Sequence, residues 1–108
     1  MANYVLIESK DPFESNDVRY FYDLAAGLAR VENKVTLFLV QNGVLAARAG
    51  EHAARLAELT RAGVEVVADQ FSLRERGIKT ARLAPGVVPA DIDLVVDRLG
   101  EGAQALWH

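Results

Sequence analysis

Short apolar runs alternate with longer segments of helical periodicity along this chain. Three runs of four to six residues are rich in β-branched or aromatic side chains and are predicted to be strands: Tyr4–Ile7, Val35–Val40 and Val64–Ala68. The second run has one polar residue in six, so we expect both of its faces to be buried. A strand of that kind is typical of a parallel sheet that is covered by helices on both sides.

The segments between these runs place apolar side chains at the spacing of one helix face. Helices are predicted over Asp17–Glu32, Glu51–Arg61, Phe71–Arg76 and Ala90–Leu99, and a final strand over Ala103–Trp107. Asn16 or Asp17 is expected to cap the first helix. In the last helix one stripe is expected to contain Ile92, Val95, Val96 and Leu99. Leu83–Val88 is consistent with either a short fourth strand or a loop.

The alternation of strand and helix predicts an α/β fold. We expect a three-layer sandwich with a mostly parallel sheet of about five strands. With 108 residues and a mass of 11.8 kDa, the chain has the length of a single domain spanning residues 1–108. Its composition, 51% hydrophobic and 25% charged residues, is that of a globular protein and excludes intrinsic disorder.

Charge and cysteine content narrow the classes of function. Twelve Lys and Arg residues against fifteen Asp and Glu residues give a net charge of −3, so there is no basic excess for binding nucleic acid. The absence of cysteine excludes disulfides, zinc–thiolate sites and thiol chemistry by this chain alone. We expect no metal ion, no cofactor, no membrane segment or signal peptide, and a cytoplasmic location.

Ligands of open parallel sheets bind outside the carboxyl ends of the strands. Here the corresponding loops comprise residues 9–15, 41–44 and 69–77. Asn42-Gly43 tolerates positive φ. It predicts either a tight turn that approaches a small ligand or anion, or a plain connection from strand to helix.

The third loop supplies the other candidate residues. Asp69 is either a polar group in a pocket, acting as a proton acceptor, or part of a helix cap together with Ser72. Arg74 and Arg76 either bind an oxyanion or lie on a solvated helix face. The predicted ligand-binding residues are Asn42, Gly43, Asp69, Gln70, Arg74 and Arg76. No catalytic residue is predicted.

Three other residues have weaker signals. His52 has no acid or second ligand beside it in the sequence, and His108 lies at the end of the sequence, where chains usually fray. Neither is predicted to belong to a site. Trp107 either closes the core or anchors a partner chain.

Several stretches resemble the DsrE-like sulfurtransferase family. They are Val35–Val44, Asp69–Ile78, Leu99–Gly102 with Ala105–Trp107, and the opening Asp11-Pro12-Phe13. The resemblance implies a flavodoxin-like sheet, a role in sulfur relay (oxidation of stored sulfur or tRNA thiolation), and trimers, hexamers or mixed hexamers with paralogues. It also implies that active carriers hold persulfide sulfur on a cysteine at the end of the third strand. This chain has Val67-Ala68-Asp69-Gln70 there.

The resemblance and the missing cysteine together predict a non-catalytic subunit related to sulfur relay, acting as a homo-oligomer or beside a cysteine-containing paralogue. No independent sulfurtransferase activity is expected. The alternative is a binding module for a small ligand or anion, with Gln41 joining the predicted contacts. A third hypothesis is an enzyme of another class with Asp69 as general base.

Overall fold

The computed structural model describes residues 2–48 and 50–108. Within them the chain forms five strands: β1 (Asn3–Glu8), β2 (Lys34–Leu39), β3 (Glu65–Asp69), β4 (Val88–Ala90) and β5 (Gln104–Trp107). The same residues form four α-helices: α1 (Asp17–Arg30), α2 (Glu51–Arg61), α3 (Gln70–Glu75) and α4 (Asp93–Gly100). A 3₁₀ helix, Gln41–Ala47, follows β2, and a 3₁₀ turn, Thr80–Arg82, follows α3.

The strands form one sheet in the order β4-β3-β2-β1-β5, and every pairing is parallel. The strand β2 lies at the centre, and its residues from Val35 to Leu39 are buried. Helices α1, α2 and α3 pack on one face of the sheet, and α4 packs on the other. This confirms the predicted three-layer α/β sandwich with a parallel sheet.

The face that carries α1, α2 and α3 holds the larger core. Leu6, Leu37 and Leu39 project from the strands, and Tyr22 and Leu56 meet them from the helices. The spacing of apolar side chains in α1 and α2 therefore predicted the buried stripe correctly. No helix among residues 2–48 and 50–108 is long and apolar enough to cross a membrane.

The opposite face holds a smaller core. It consists of Val5, Ile7, Phe38, Val67 and Val95. Of the apolar stripe expected in the last helix only Val95 is buried, because Ile92, Val96 and Leu99 are exposed. Helix α4 has eight residues and lies over a sheet of five strands, so only one side of the stripe reaches the sheet.

The segment before α4 differs from the prediction. Val88–Ala90 forms β4, so the helix begins at Asp93 and not at Ala90. The strand lies at the edge of the sheet, where Pro89 pairs with Ala68. A proline lacks the backbone N–H that an interior strand needs, and an edge position tolerates that loss.

The ends of α1 also differ from the prediction. Asn16 makes no side-chain capping bond; instead the Ser15 hydroxyl oxygen accepts a hydrogen bond of 3.3 Å from the Asp17 amide. The helix ends at Arg30, and Glu32 adopts a positive φ of 65°. The Asn33 side chain then donates to the Leu28 carbonyl, which satisfies a backbone group at the helix end.

Candidate functional site

The loop after β2 forms a helix and not the expected tight turn. Positive φ falls on Gln41, at 53°, and Gly43 lies within the 3₁₀ helix. Gly43 is needed for a different reason: a Cβ there would lie 2.2 Å from the backbone oxygen of Glu8. The glycine therefore lets the 3₁₀ helix pack directly against the carboxyl end of β1.

Asp69 is the last residue of β3 and caps α3. Its Oδ2 accepts hydrogen bonds from the Ser72 amide at 3.0 Å and the Ser72 hydroxyl at 2.7 Å. The Ser72 hydroxyl oxygen in turn accepts a bond of 2.8 Å from the Gln41 amide. This confirms the capping interpretation, and it joins the ends of β2 and β3. A role of Asp69 as proton acceptor stays a prediction.

Asn42 and Arg76 meet as predicted for residues at one edge of the sheet. Asn42 Oδ1 accepts hydrogen bonds from Arg76 Nε at 3.1 Å and Nη2 at 3.0 Å. Arg76 Nη1 donates to the Ser72 carbonyl at 3.3 Å, and Asn42 Nδ2 donates to Glu14 at 2.9 Å. The side-chain amide of Asn42 thus orients the guanidinium of Arg76. Of these two predicted binding residues, Arg76 is therefore the one that can contact a ligand.

A cleft of about 270 Å³ opens beside Arg76. We call it the basic cleft, and it is lined by Arg48, Arg76, Gly77, Ile78, Lys79 and Arg82. Four of these six residues are Arg or Lys, in a chain whose net charge is negative. Arg76 was predicted from the sequence as a binding residue, whereas Arg48, Lys79 and Arg82 were not.

A larger cleft of about 400 Å³ adjoins the basic cleft. We call it the apolar cleft; it is lined by Phe13, Leu45, Ala46, Arg48, Gly50, His52 and Arg82. The rings of Phe13 and His52 meet edge to face with centroids 4.5 Å apart. His52 Nε2 is buried and has no hydrogen-bond partner among the described residues. His52, which the sequence analysis set aside, therefore belongs to this region.

Backbone pairing brings Arg48 and Arg82 together. Arg48 forms an isolated antiparallel bridge with Leu83, and the Ala84 amide donates to the Ala47 carbonyl at 2.8 Å. The end of the 3₁₀ helix is thereby tied to the segment after α3. The recurrence of basic residues from Arg74 to Arg82 was the available sequence signal for this region.

The remaining predicted residues lie apart from the basic cleft. Gln70 and Arg74 line a third cleft of about 220 Å³ with Leu73, Ile78 and Thr80. Gly43 and Asp69 support the backbone as described above. The six predicted residues therefore gather at one edge of the sheet, but they do not converge on a single cavity.

A second polar cluster lies where β1 and β5 end side by side. Glu8 is fully buried, and its two carboxylate oxygens lie 2.8 and 2.9 Å from His108 Nδ1. The Ser9 hydroxyl donates to the His108 carbonyl at 2.9 Å. His108 is therefore an anchored residue, contrary to the expectation of a frayed end. Pairing of the first strand with the last creates this contact.

Tyr22 lies beneath the same cluster. Its hydroxyl is buried without a hydrogen-bond partner in the described part of the chain. Burial, reinforced by the negative charges of Glu8 and Asp11, raises the pKa of Tyr22 well above its usual value. The phenol therefore stays neutral at any physiological pH. Across residues 2–48 and 50–108 no group of His, Asp and Glu is arranged to hold a metal ion.

The comparison with protein families gives a match over nearly the whole chain. The model of the DsrE/DsrF-like family matches residues 2–107. The chain belongs to this family. The resemblance seen in the strand ends and loops is confirmed, and so is the family's parallel α/β fold.

Solved structures of the same fold come from bacteria and an archaeon. The ychN protein from E. coli matches with a TM-score of 0.89 and 24% identity, and both chains are covered completely. The protein of unknown function MTH1491 from Methanobacterium thermoautotrophicum matches at 0.88 and 23%, again over 100% of both chains. BT1422 from Bacteroides thetaiotaomicron matches at 0.77 and 15%, over 97% of this chain and 94% of that one. A search of curated proteins gives no match.

Proposed function

We propose that this DsrE-like chain serves sulfur relay without carrying the sulfur itself, as a subunit of an oligomer. The observation that carries the proposal is the absence of cysteine from the whole sequence. A persulfide carrier needs a thiolate that accepts and returns a sulfur atom. No other side chain of this chain can replace it in that role.

The surroundings of Asp69 support the proposal. The resemblance places the sulfur-carrying cysteine of active members at the end of the third strand, here the stretch Val67-Ala68-Asp69-Gln70, and β3 ends within it at Asp69. This carboxylate is 6% exposed and accepts two hydrogen bonds from Ser72. The position serves to cap a helix and to connect two strand ends, so it offers no reactive group to a sulfur donor.

Exposed apolar side chains support a role as a subunit. On the side of the sheet that α4 covers, Trp107 is 67% exposed, Val96 61% and Val88 56%. Val88 and Trp107 lie on the two edge strands and Val96 on the helix between them. Exposed apolar side chains spread over one face of a small protein are typical of a contact surface. We propose that copies of this chain meet through this surface in a trimer or hexamer. A mixed oligomer with a cysteine-containing paralogue is the other assembly that the family resemblance suggests.

Native mass spectrometry of the tagged chain, purified from its own cells, tests this function. We expect an oligomer, and co-purification of a cysteine-containing paralogue would identify the relay that it serves. In a second assay the purified chain is incubated with an isotopically labelled persulfide donor, and the cysteine-containing paralogue serves as the positive control. Label that the purified chain alone accepts and passes on would contradict the proposal, as would a monomer at micromolar concentration.

The basic cleft favours a second candidate function, which is the binding of a small anion. Arg48, Arg76, Lys79 and Arg82 surround one cavity at the edge of the sheet where ligands of parallel α/β proteins bind. Guanidinium groups bind oxyanions through paired hydrogen bonds. Thermal unfolding in the presence of phosphate, sulfite or thiosulfate tests the idea: we expect a higher midpoint than with chloride at equal ionic strength. Equal midpoints would count against it.

A further inference from the structure

The basic cleft and the apolar cleft have two lining residues in common, but their other lining residues differ in chemistry. Arg48 and Arg82 line both cavities. Arg76 and Lys79 line only the basic cleft, whereas Phe13 and Leu45 line only the apolar cleft. One molecule can therefore place a charged group on one side of the two shared arginines and an apolar group on the other.

Positive charge predominates around the basic cleft, although Glu75 Oε1 lies 3.9 Å from Arg76 Nη1. None of the described residues that line either cleft is acidic, although acidic residues outnumber basic ones in the chain as a whole. Like charges held close together repel, and a bound anion relieves that repulsion. Several cations around one cavity match a dianion better than a singly charged group.

The guanidinium of Arg76 is oriented before any ligand arrives. Asn42 and the Ser72 carbonyl hold it through three of its N–H groups. A guanidinium has further N–H groups, and those of Arg76 remain for an oxyanion. Because the side chain is already ordered, binding loses little conformational entropy at this residue.

The apolar cleft offers a surface for a ring. Phe13 is 77% exposed, which leaves one of its faces open to a second aromatic group. His52, which contacts Phe13, lines the same cleft, and its Nε2 is buried without a partner among the described residues. The pair of clefts therefore suits an amphiphilic molecule better than an inorganic ion.

We propose that the two clefts together bind an organic phosphate monoester. Its dianionic phosphate lies among Arg48, Arg76, Lys79 and Arg82, and its planar or apolar group contacts Phe13 and Leu45. This inference rests on the second proposed function, the binding of a small anion, and names the class of ligand.

Isothermal titration calorimetry of the purified chain with phenyl phosphate and with inorganic phosphate tests the proposal. At about pH 8 both probes are largely dianionic, so they differ mainly in the phenyl group. We expect phenyl phosphate to bind about tenfold more tightly, because part of its ring leaves water. Phe13→Ala should remove most of this preference and leave the affinity for inorganic phosphate unchanged.

Arg82→Gln should weaken the binding of both probes about tenfold, since it removes a cation from both clefts. Lys79→Gln is a second variant of the basic cleft, for use if Arg82→Gln does not fold. Arg61→Gln is the matched control, because Arg61 is an exposed residue at the end of α2 and should leave both affinities unchanged.

Each outcome separates the two proposals. Tighter binding of phenyl phosphate that depends on Phe13 and Arg82 supports both. Equal affinities for the two probes, with loss of both in Arg82→Gln, overturn the phosphate monoester and leave the anion site standing. If neither probe binds, or if neither Arg82→Gln nor Lys79→Gln weakens binding more than Arg61→Gln does, the site and the function that it rests on are both wrong.

Discussion

The two faces of the sheet bury very different amounts of apolar side chain. On one face Tyr22, Leu37 and Leu56 are at most 1% exposed beneath α1 and α2. On the other face α4 contributes one fully packed side chain, Val95, while Val96 and Trp107 stay largely exposed. The first face carries most of the hydrophobic stabilisation, and the second keeps apolar surface available for contacts.

We call the side of the sheet that α4 covers the thin face and the side that α1, α2 and α3 cover the thick face. The thin face compensates for its smaller core in part with polar contacts. Arg98 of α4 donates to Glu65 of β3 at 2.9 Å, and the Thr36 hydroxyl donates to the same carboxylate at 2.9 Å. Partial burial opposes ionisation of Glu65, but the hydrogen bonds from Arg98 and Thr36 outweigh it and lower the pKa of Glu65. The ion pair between Arg98 and Glu65 therefore helps to hold α4 on the sheet, where few apolar side chains of this helix are buried.

The largest contrast is expected from one truncation on each face. Leu56→Ala leaves a cavity in the thick core and should lower the free energy of unfolding by about 3 kcal/mol. Val95→Ala removes less surface next to a thinly covered sheet and should cost about 1.5 kcal/mol. Urea unfolding of the two variants measures both values. Equal losses would show that the two faces contribute alike.

Gly43→Ala tests how closely the 3₁₀ helix on the thick face packs against the end of β1. The added Cβ meets backbone atoms of Glu8 and not a flexible side chain, so we expect a loss of about 2 kcal/mol. Gly27→Ala in α1 is the matched control, because an added Cβ there has no neighbour within 4 Å. That variant should gain about 0.5 kcal/mol from helix propensity. A stable Gly43→Ala variant would refute the close approach.

Glu65→Gln tests the polar attachment of α4. Because the folded pKa of Glu65 lies below 4.5, the usual value, its contribution is complete above that pH and is lost as the pH falls through the folded value. At about pH 7 we expect a loss of about 1 kcal/mol or less for a pair that is partly exposed to solvent. The difference should shrink as the pH falls below 4.5, and variant and parent should converge once the carboxyl is protonated in both the folded and the unfolded state.

Thermal unfolding at neutral pH and through the acid range measures this difference. Glu58→Gln is its control, since Glu58 pairs with Arg55 on the exposed surface of α2 and should show almost no effect on stability. A loss for Glu65→Gln that persists in acid would mean that the carboxylate charge is not its cause.

The smallest effect on stability is expected for the exposed apolar residues of the thin face. Val96→Ser and Trp107→Ser should change the free energy of unfolding of the monomer by about 0.5 kcal/mol or less. If this surface joins copies of the chain, the same variants should shift the sedimentation coefficient toward the monomer. Tyr20→Ser, at a residue that is 70% exposed on α1, should leave the assembly intact. Variants that remain fully oligomeric would exclude the surface as the contact.

Much of the fold could be predicted because local patterns reflect burial. The apolar run of β2 predicted a strand buried on both faces, and the helical stripe of α1 predicted its buried side. The strand β4 was missed as a defined element because it has three residues and contains Pro89. The exposure of most of the α4 stripe could not be predicted, because periodicity identifies an apolar face without stating whether anything covers it.

The site was predictable only in part for a related reason. Asn42 and Arg76 could be placed together, since both follow parallel strands that end at the same edge of the sheet. Arg48 and Arg82 could not, because a single backbone bridge between distant segments brings them together. The contact between Glu8 and His108 likewise depends on the pairing of the first strand with the last.

Composition and patterns within a few residues were enough to predict the family, the parallel α/β architecture and the absence of a thiol. Which cations share a cavity, and which apolar residues remain uncovered, could be seen only in the folded chain. Those properties depend on strand order, on bridges between loops and on the length of one helix relative to the sheet beneath it. They arise from contacts between segments that are far apart along the chain, and such contacts leave little trace in local sequence.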